Sequence, residues 1–305
     1  GSFNIWKSDV KETAPTQLTT FKNHPVRFLS TSSTGMLCFG YDGEIYTLSE
    51  GGNPSKVAIE IINDNQYNDS VIKKITSGAS DFSVSSNGKE VAFVAHGEVF
   101  VTAIEYGTTK RITDTPEQER NVHFNPEGDK LIYSGERNGS WNIYQAKLGR
   151  EEDKYFYNAT VIKEEALIAT TAEEFQPYFS PDGKEIAYLE ERTTIKVYNL
   201  ESKQSREVMD GSLNYSYSDG DQYFSWSPDS KWLLVEYFDA NRWNTDIGLI
   251  NVSTKEMINL TNSGYNNSRA KFAMEGEMVY WNNDKQGYRS HGSWGSQSDV
   301  YAIFL

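Results

Sequence analysis

Chemistry in this 305-residue chain would have to come from four histidines, one cysteine and a scatter of acids and arginines. His24, His96, His123 and His291 fall in different stretches of sequence, with no second ligand at short spacing. A structural zinc site needs closely spaced His or Cys pairs, and a calcium loop needs clustered carboxylates. Neither pattern occurs. No G-x-S-x-G elbow exposes a serine, and no glycine-rich loop is built to cradle phosphate. Hydrolysis or transfer needs a nucleophile, a base and an orienting group in one place, and no such set is legible. The expectation is no catalytic residue, no metal and no cofactor. Cys38 lies inside the apolar run LCFG and reads as a small buried hydrophobe.

Recognition is easier to place than catalysis. The formal net charge of −14 is the wrong sign for a nucleic-acid backbone, which is bound through clustered Lys and Arg. The acids, Glu119, Glu164 and Glu174 among them, read as a solvated surface. No apolar stretch is long enough to cross a membrane as a helix. Tyr215 and Tyr217 in LNYSYSDGDQYF, and Trp243 in FDANRWNTD, are aromatics among polar loop residues, where binding often resides. Arg289, His291 and Trp294 sit in GYRSHGSWG, a glycine-rich insertion suited to a contact surface. His24, Arg120, Gln176, Gln222 and Arg269, with Asp81, stand at the entry to equivalent strands. The two arginines there are suited to a peptide carboxylate.

The elements that position these residues come from a repeat. FSPDGKEIAYL at 179–189 has relatives at 83–94, 124–135, 226–237 and 272–281, with an eroded copy at 28–40. A period of roughly 40 to 55 residues marks a repeat architecture. Each phrase reads as two strands around a tight turn, where Pro181 pre-sets φ, Asp182 bonds nearby backbone and Gly183 takes a left-handed conformation. The strand after the turn is apolar on both faces, as in EIAYLE, and suits burial between two sheets. A third strand follows (from Glu44, Glu98, Trp141, Ile195 and Asp246). A more polar fourth comes next at 109–114, 205–210 and 257–262. Four antiparallel strands per repeat, polar at the last, predict an all-β fold: a β-propeller of four-stranded blades whose outer strands meet solvent. By this alignment His123 takes the place of Tyr178 and reads as structural, while Phe124, Phe179, Trp226 and Phe272 are packing residues.

The ends do not match whole blades. Residues 3–9 and 15–20 read as third and fourth strands lacking a first and second, whereas 269–305 supplies only three strands. The expectation is one propeller over 1–305, seven-bladed with an incomplete first blade, or six-bladed if the ends complete one another. It is also expected to be a piece of a longer protein.

The repeat phrase resembles that of TolB-type propellers. HPVRFLS with LCFGYDGEIYTL, SGASDFSVSSNGKEVAFVAHGEVFV, the run from 107 to 144, and YRSHGSWGSQSDVYAIFL together resemble the second propeller of bacterial tricorn-like serine proteases. The resemblance extends over nearly the whole chain and includes irregular loops. It implies a non-catalytic propeller that guides peptides toward a serine-protease core outside this chain, with the other domains of that protease as partners. It also implies a periplasmic or otherwise exported setting. The residues leave two alternatives open: a stand-alone protein-interaction scaffold, and a propeller enzyme such as a glycan lyase with residues converging at a channel mouth.

Overall fold

The computed structural model describes residues 3–9, 14–60, 74–218, 220–238, 244–288 and 295–305. The chain divides into two compact units, Gly1–Lys74 and Ile75–Leu305. The described residues form antiparallel sheets joined by turns, with only three single-turn 3-10 segments besides.

In the first unit, β1 (Trp6–Lys7) pairs with β2 (Thr16–Gln17). A four-stranded sheet follows in chain order: β3 (Arg27–Thr31), β4 (Leu37–Tyr41), β5 (Glu44–Leu48) and β6 (Ser55–Lys56). Ile5, Phe39 and Leu48 form its core, and Phe21 stacks on Tyr41 at 3.9 Å.

The second unit contains five sheets. The first comprises β7 (Ala79–Val84), β8 (Glu90–Ala95), β9 (Glu98–Ala103) and β10 (Thr109–Arg111). The next has β11 (Glu119–Phe124), β12 (Lys130–Arg137), β13 (Ser140–Leu148) and β14 (Ile162–Ile168). Then come β15 (Glu174–Phe179), β16 (Glu185–Glu190), β17 (Thr194–Asn199) and β18 (Gln204–Met209). The fourth sheet holds β19 (Phe224–Trp226), β20 (Trp232–Phe238), β21 (Thr245–Asn251) and β22 (Met257–Asn259). The last has three strands, β23 (Asn267–Ala273), β24 (Met278–Asn283) and β25 (Asp299–Phe304). Strand order within each sheet follows the chain.

Side-chain alternation explains how the sheets stack. On β12, Leu131 and Tyr133 join a core shared with β8 and β9, while Ile132 joins one shared with β16. On β16, Ile186 and Tyr188 face back toward β12, and Ala187 and Leu189 face forward toward β20. Leu233 and Val235 likewise face back, whereas Leu234 packs toward Ala270 and Val279. Successive Cβ atoms point to opposite faces of a strand, so a strand buried on both sides must be apolar throughout. That is the pattern of EIAYLE and KLIYSG.

The turn phrase folds as its residues dictate. Ser180 Oγ donates to Asp182 Oδ1 (2.6 Å), which accepts from Lys184 N, and Glu185 N donates to Ser180 Oγ (2.9 Å). Gly183 sits at φ 70°. The same ring of bonds recurs at Ser85, Asn87 and Glu90 and at Ser227, Asp229 and Trp232.

Two fourth strands, β10 and β22, are shorter than the sequence suggested, while β18 has the expected six residues. β10 ends at Arg111 because Thr113 turns inward, where its Oγ1 accepts from Val99 N (2.9 Å) and donates to Glu98 (2.6 Å). Thr261 does the same for Ile247 N and Asp246, and Thr19 for Ile5 N and Asn4. The N-terminal strand pair therefore carries the device that ends third and fourth strands elsewhere. β14 was not anticipated from sequence. It lies beyond an insertion whose Phe156 is fully buried in the core shared by β8, β9 and β11–β13.

Candidate functional site

Four of the five first strands of the second unit, β7, β11, β15 and β23, carry a bulge at one register, and β19 does not. Pairing with the second strand shifts between Ser80 and Phe82, Arg120 and His123, Phe175 and Tyr178, and Ser268 and Lys271. The extra residue takes a left-handed backbone: Asp81 (φ 39°), Asn121 (φ 56°), Gln176 (φ 50°) and Arg269 (φ 56°). Such geometry is uncommon for residues other than glycine and needs support from its surroundings. The support comes from the preceding sheet. Asn121 N donates to Asp81 Oδ2 (3.2 Å), Gln176 N to Ser134 Oγ (3.1 Å), and Arg269 N to Glu236 Oε1. Ser134 and Glu236 occupy the same register on β12 and β20. At that register β16 carries Leu189, which offers no acceptor, and the next first strand has Tyr223 without a left-handed φ.

This register shifts the strand alignment at three of the expected positions. The residues equivalent to Gln176 and Arg269 are Asn121 rather than Arg120, Tyr223 rather than Gln222, and, in the first unit, Phe28 (φ 54°) rather than His24. Asn121 and Tyr223 stand three residues before Phe124 and Trp226, as Gln176 and Arg269 do before Phe179 and Phe272, so the offset is constant along the sequence. His24 lies before β3, with Nε2 3.3 Å from Asp42 Oδ1. The Arg120 guanidinium lies over the Trp141 ring at 4.7 Å and donates to Gln118 Oε1. Trp141 packs on Phe175 at 5.8 Å, and Arg192 covers the Phe175 ring.

Gln176, Gln222 and Tyr215 are brought together. Gln176 Nε2 donates to Gln222 O (3.0 Å), and Gln222 Nε2 donates to Tyr215 O (2.7 Å). The 213–222 loop is thereby tied to β15, while the Tyr215 and Tyr217 side chains remain exposed. Trp243, Arg289, His291 and Trp294 lie outside the described residues. Glu119 and Glu174, expected as solvated acids, are buried. Glu119 is held by Arg137 at 2.7 Å with Thr113 and Thr115, and Glu174 accepts from Thr170. Burial raises both carboxyls above the usual range. Glu164 accepts from Tyr133 Oη (2.6 Å).

Two residues beyond each bulge, His123 and Tyr178 pack ring to ring at 4.1 Å, and Tyr178 meets Phe224 edge-on. Burial lowers the His123 imidazole to about 4. Burial first, then the Asp81 carboxylate, raises the Tyr178 phenol to about 12. Glu236 N donates to Tyr223 O (3.1 Å), and burial pushes its carboxyl up to about 7. Sequence reasoning placed Tyr178 opposite His123 in the repeat but missed Tyr223 and Glu236. The signal for Glu236 was an acid inside the otherwise apolar run WLLVEYF.

A neutral imidazole packed on an un-ionised phenol is a poor general base, which works best with a pKa near the operating pH. Among the described residues no three His, Cys, Asp or Glu side chains gather as a metal site. Along the row the side chains differ from sheet to sheet: a carboxylate at Asp81, amides at Asn121 and Gln176, a phenol at Tyr223 and a guanidinium at Arg269.

No protein-family profile and no curated protein matches the chain. Among solved structures, the tricorn protease is similar over 99% of this chain at 16% identity and a TM-score of 0.56, and the chain spans 28% of that protein. A protein described as TolB from Agrobacterium tumefaciens is similar over 74% of this chain and 77% of its own length, at 14% identity and a TM-score of 0.52. Oligogalacturonate lyase from Vibrio parahaemolyticus is similar over 99% of this chain and 82% of its own, at 11% identity and a TM-score of 0.53. Likeness at these identities establishes a propeller-like all-β fold and is shared by proteins of different activity.

Proposed function

We propose that this chain is a non-catalytic peptide-binding propeller of the kind found in tricorn-like proteases, which passes peptides toward a catalytic core outside it. One observation carries the reading. Positions that pack sheet on sheet repeat in kind (Phe124, Phe179, Trp226, Phe272), while the bulge row beside them changes chemistry from sheet to sheet. Uniform packing with a varied row of donors, acceptors and aromatic faces fits an extended peptide, which offers backbone amides and mixed side chains. The phenols supply rigid contact area at low entropy cost, and Arg269 supplies a partner for a carboxylate. Similarity to the tricorn protease over nearly all of this chain supports the same reading.

The test is fluorescence anisotropy of the 305-residue protein with labelled, unstructured peptides bearing a free carboxyl end. Saturable binding is expected, weakened about tenfold or more in the Tyr223→Ala, Arg269→Ala double variant, with no cleavage by mass spectrometry. Absence of binding, unchanged affinity in the double variant, or peptide hydrolysis that co-purifies with the protein would overturn the proposal.

A further inference from the structure

A second surface lies on the turn side of the last two sheets, away from the bulge row. The turn joining β23 to β24 departs from the repeat phrase. Where the copies at 85–89, 180–184 and 227–231 read Ser-Ser-Asn-Gly-Lys, Ser-Pro-Asp-Gly-Lys and Ser-Pro-Asp-Ser-Lys, and that at 125–129 Asn-Pro-Glu-Gly-Asp, this one reads Ala273, Met274, Glu275, Gly276, Glu277. Without the serine and aspartate that close the ring of bonds, the backbone passes through three consecutive left-handed residues: Met274 (φ 51°), Glu275 (φ 57°) and Gly276 (φ 100°). Only glycine adopts that region at no steric cost, so the turn is strained. A Cβ at Gly276 would stand 3.4 Å from Pro228, so this turn rests directly on its neighbour.

Beside that contact a groove of about 440 Å3 opens between the two sheets. Its floor is apolar, formed by Trp232, Leu249 and Phe272, with Leu305 at one end. Its rim is acidic, with Glu275 and Glu277 exposed and Asp229 on the facing turn. Asp229 has Lys231 Nζ at 3.8 Å, so the uncompensated charge comes from the glutamates. The position after the glycine or serine is lysine in three copies (Lys89, Lys184, Lys231) and acidic in two, Asp129 and Glu277, so this turn carries the opposite sign to that of the facing turn at Lys231.

We infer that this groove docks a basic, apolar segment of a partner protein, with a large aliphatic or aromatic side chain on the Trp232–Phe272 floor and a flanking Lys or Arg at Glu275 and Glu277. Charge complementarity selects the occupant: an acidic rim on a chain of net charge −14 repels acidic partners and attracts basic ones. The apolar floor supplies the affinity that exposed ion pairs alone lack. The inference does not rest on the peptide-binding reading, because the groove shares no residue with the bulge row.

The test uses a labelled peptide alternating lysine and leucine and its glutamate–leucine counterpart, titrated against the 305-residue protein by anisotropy. The lysine peptide is expected to bind and the glutamate peptide not to. Glu275→Lys with Glu277→Lys should weaken the lysine peptide about tenfold or more. Glu151→Lys with Glu152→Lys makes the same change in net charge on a distant exposed loop and should leave affinity unchanged. Equal loss in both double variants would reduce the effect to bulk charge and overturn the inference, as would unchanged binding in the groove variant. Amide exchange with the lysine peptide bound should slow at 227–232 and 274–278, and protection confined to other segments would also overturn it. Tyr223→Ala with Arg269→Ala should not alter this binding, which separates failure here from failure at the bulge row.

Discussion

His123 and Glu236 set the acid response of the fold in opposite directions. The His123 imidazole is held near 4, below its ordinary 6.5, so the unfolded chain takes up the proton first as pH falls. The stability it contributes is full above about 6.5 and is lost toward 4. The Glu236 carboxyl is held near 7, above its ordinary 4.5, so the folded chain keeps a proton that the unfolded chain releases. Its contribution is full below about 4.5 and is lost as pH rises to 7. Across the shared window the two offset each other, and single variants should unmask them. Relative to the native protein, Glu236→Gln should gain stability as pH rises from about 4.5 to 7, and His123→Phe should gain it as pH falls from about 6.5 to 4. Urea midpoints followed across that range would show this as diverging curves. Parallel curves would mean that neither group is buried as described. The equivalence of His123 with Tyr178 was readable from the repeat, and the two rings do pack on each other. Glu236 was not readable, because its role depends on the backbone amide of another sheet.

Among the elements, turns were legible and bulges were not. A Ser-x-Asp-Gly or Ser-x-Asn-Gly phrase encodes its own hydrogen bonds within six residues, so the sequence contains the whole interaction. Gly88 tests this simply, because it sits at φ 67° and a Cβ there would meet nothing within 4 Å. Gly88→Ala should therefore cost about 1 kcal/mol through backbone strain alone, read as a lower denaturation midpoint with unchanged slope. The bulges depend on acceptors from a neighbouring sheet some forty residues away in sequence, as with Ser134 and Gln176. Removing that acceptor in Ser134→Ala leaves a buried amide unpaired and should destabilise by about 1–3 kcal/mol. A cost near zero would mean that the left-handed Gln176 holds itself in place. β14 escaped sequence reading for a related reason. Its Lys163, Glu164 and Glu165 look like a charged loop, yet Lys147 and Tyr133 on the same sheet bond those acids. The polarity that marked the strand as outermost also hid it.

In the second unit as a whole, each pair of adjacent sheets shares one hydrophobic cluster, and few contacts skip a sheet. Stability in such an arrangement is close to a sum of sheet terms and nearest-neighbour terms rather than the property of one core. Leu233 belongs to the cluster between the sheets at 174–209 and 224–259 and is fully buried there. Leu233→Ala should cost about 2–5 kcal/mol, and the loss should be distributed unevenly. Native-state amide exchange should quicken most on β16, β17, β20 and β21, while β8 and β9, two sheets away, change far less. An equal shift at every protected amide would instead describe a single cooperative body. The distinction bears on function, because nearest-neighbour coupling lets one sheet's bulge residue change chemistry without disturbing the rest. The sequence shows this division in uniform packing positions beside a varied first-strand row. The positions of Asp81, Asn121, Gln176 and Arg269 are constant relative to the turn phrase, but their left-handed backbone is not written there, since its acceptors, Ser134 and Glu236 among them, arrive only once the sheets are stacked.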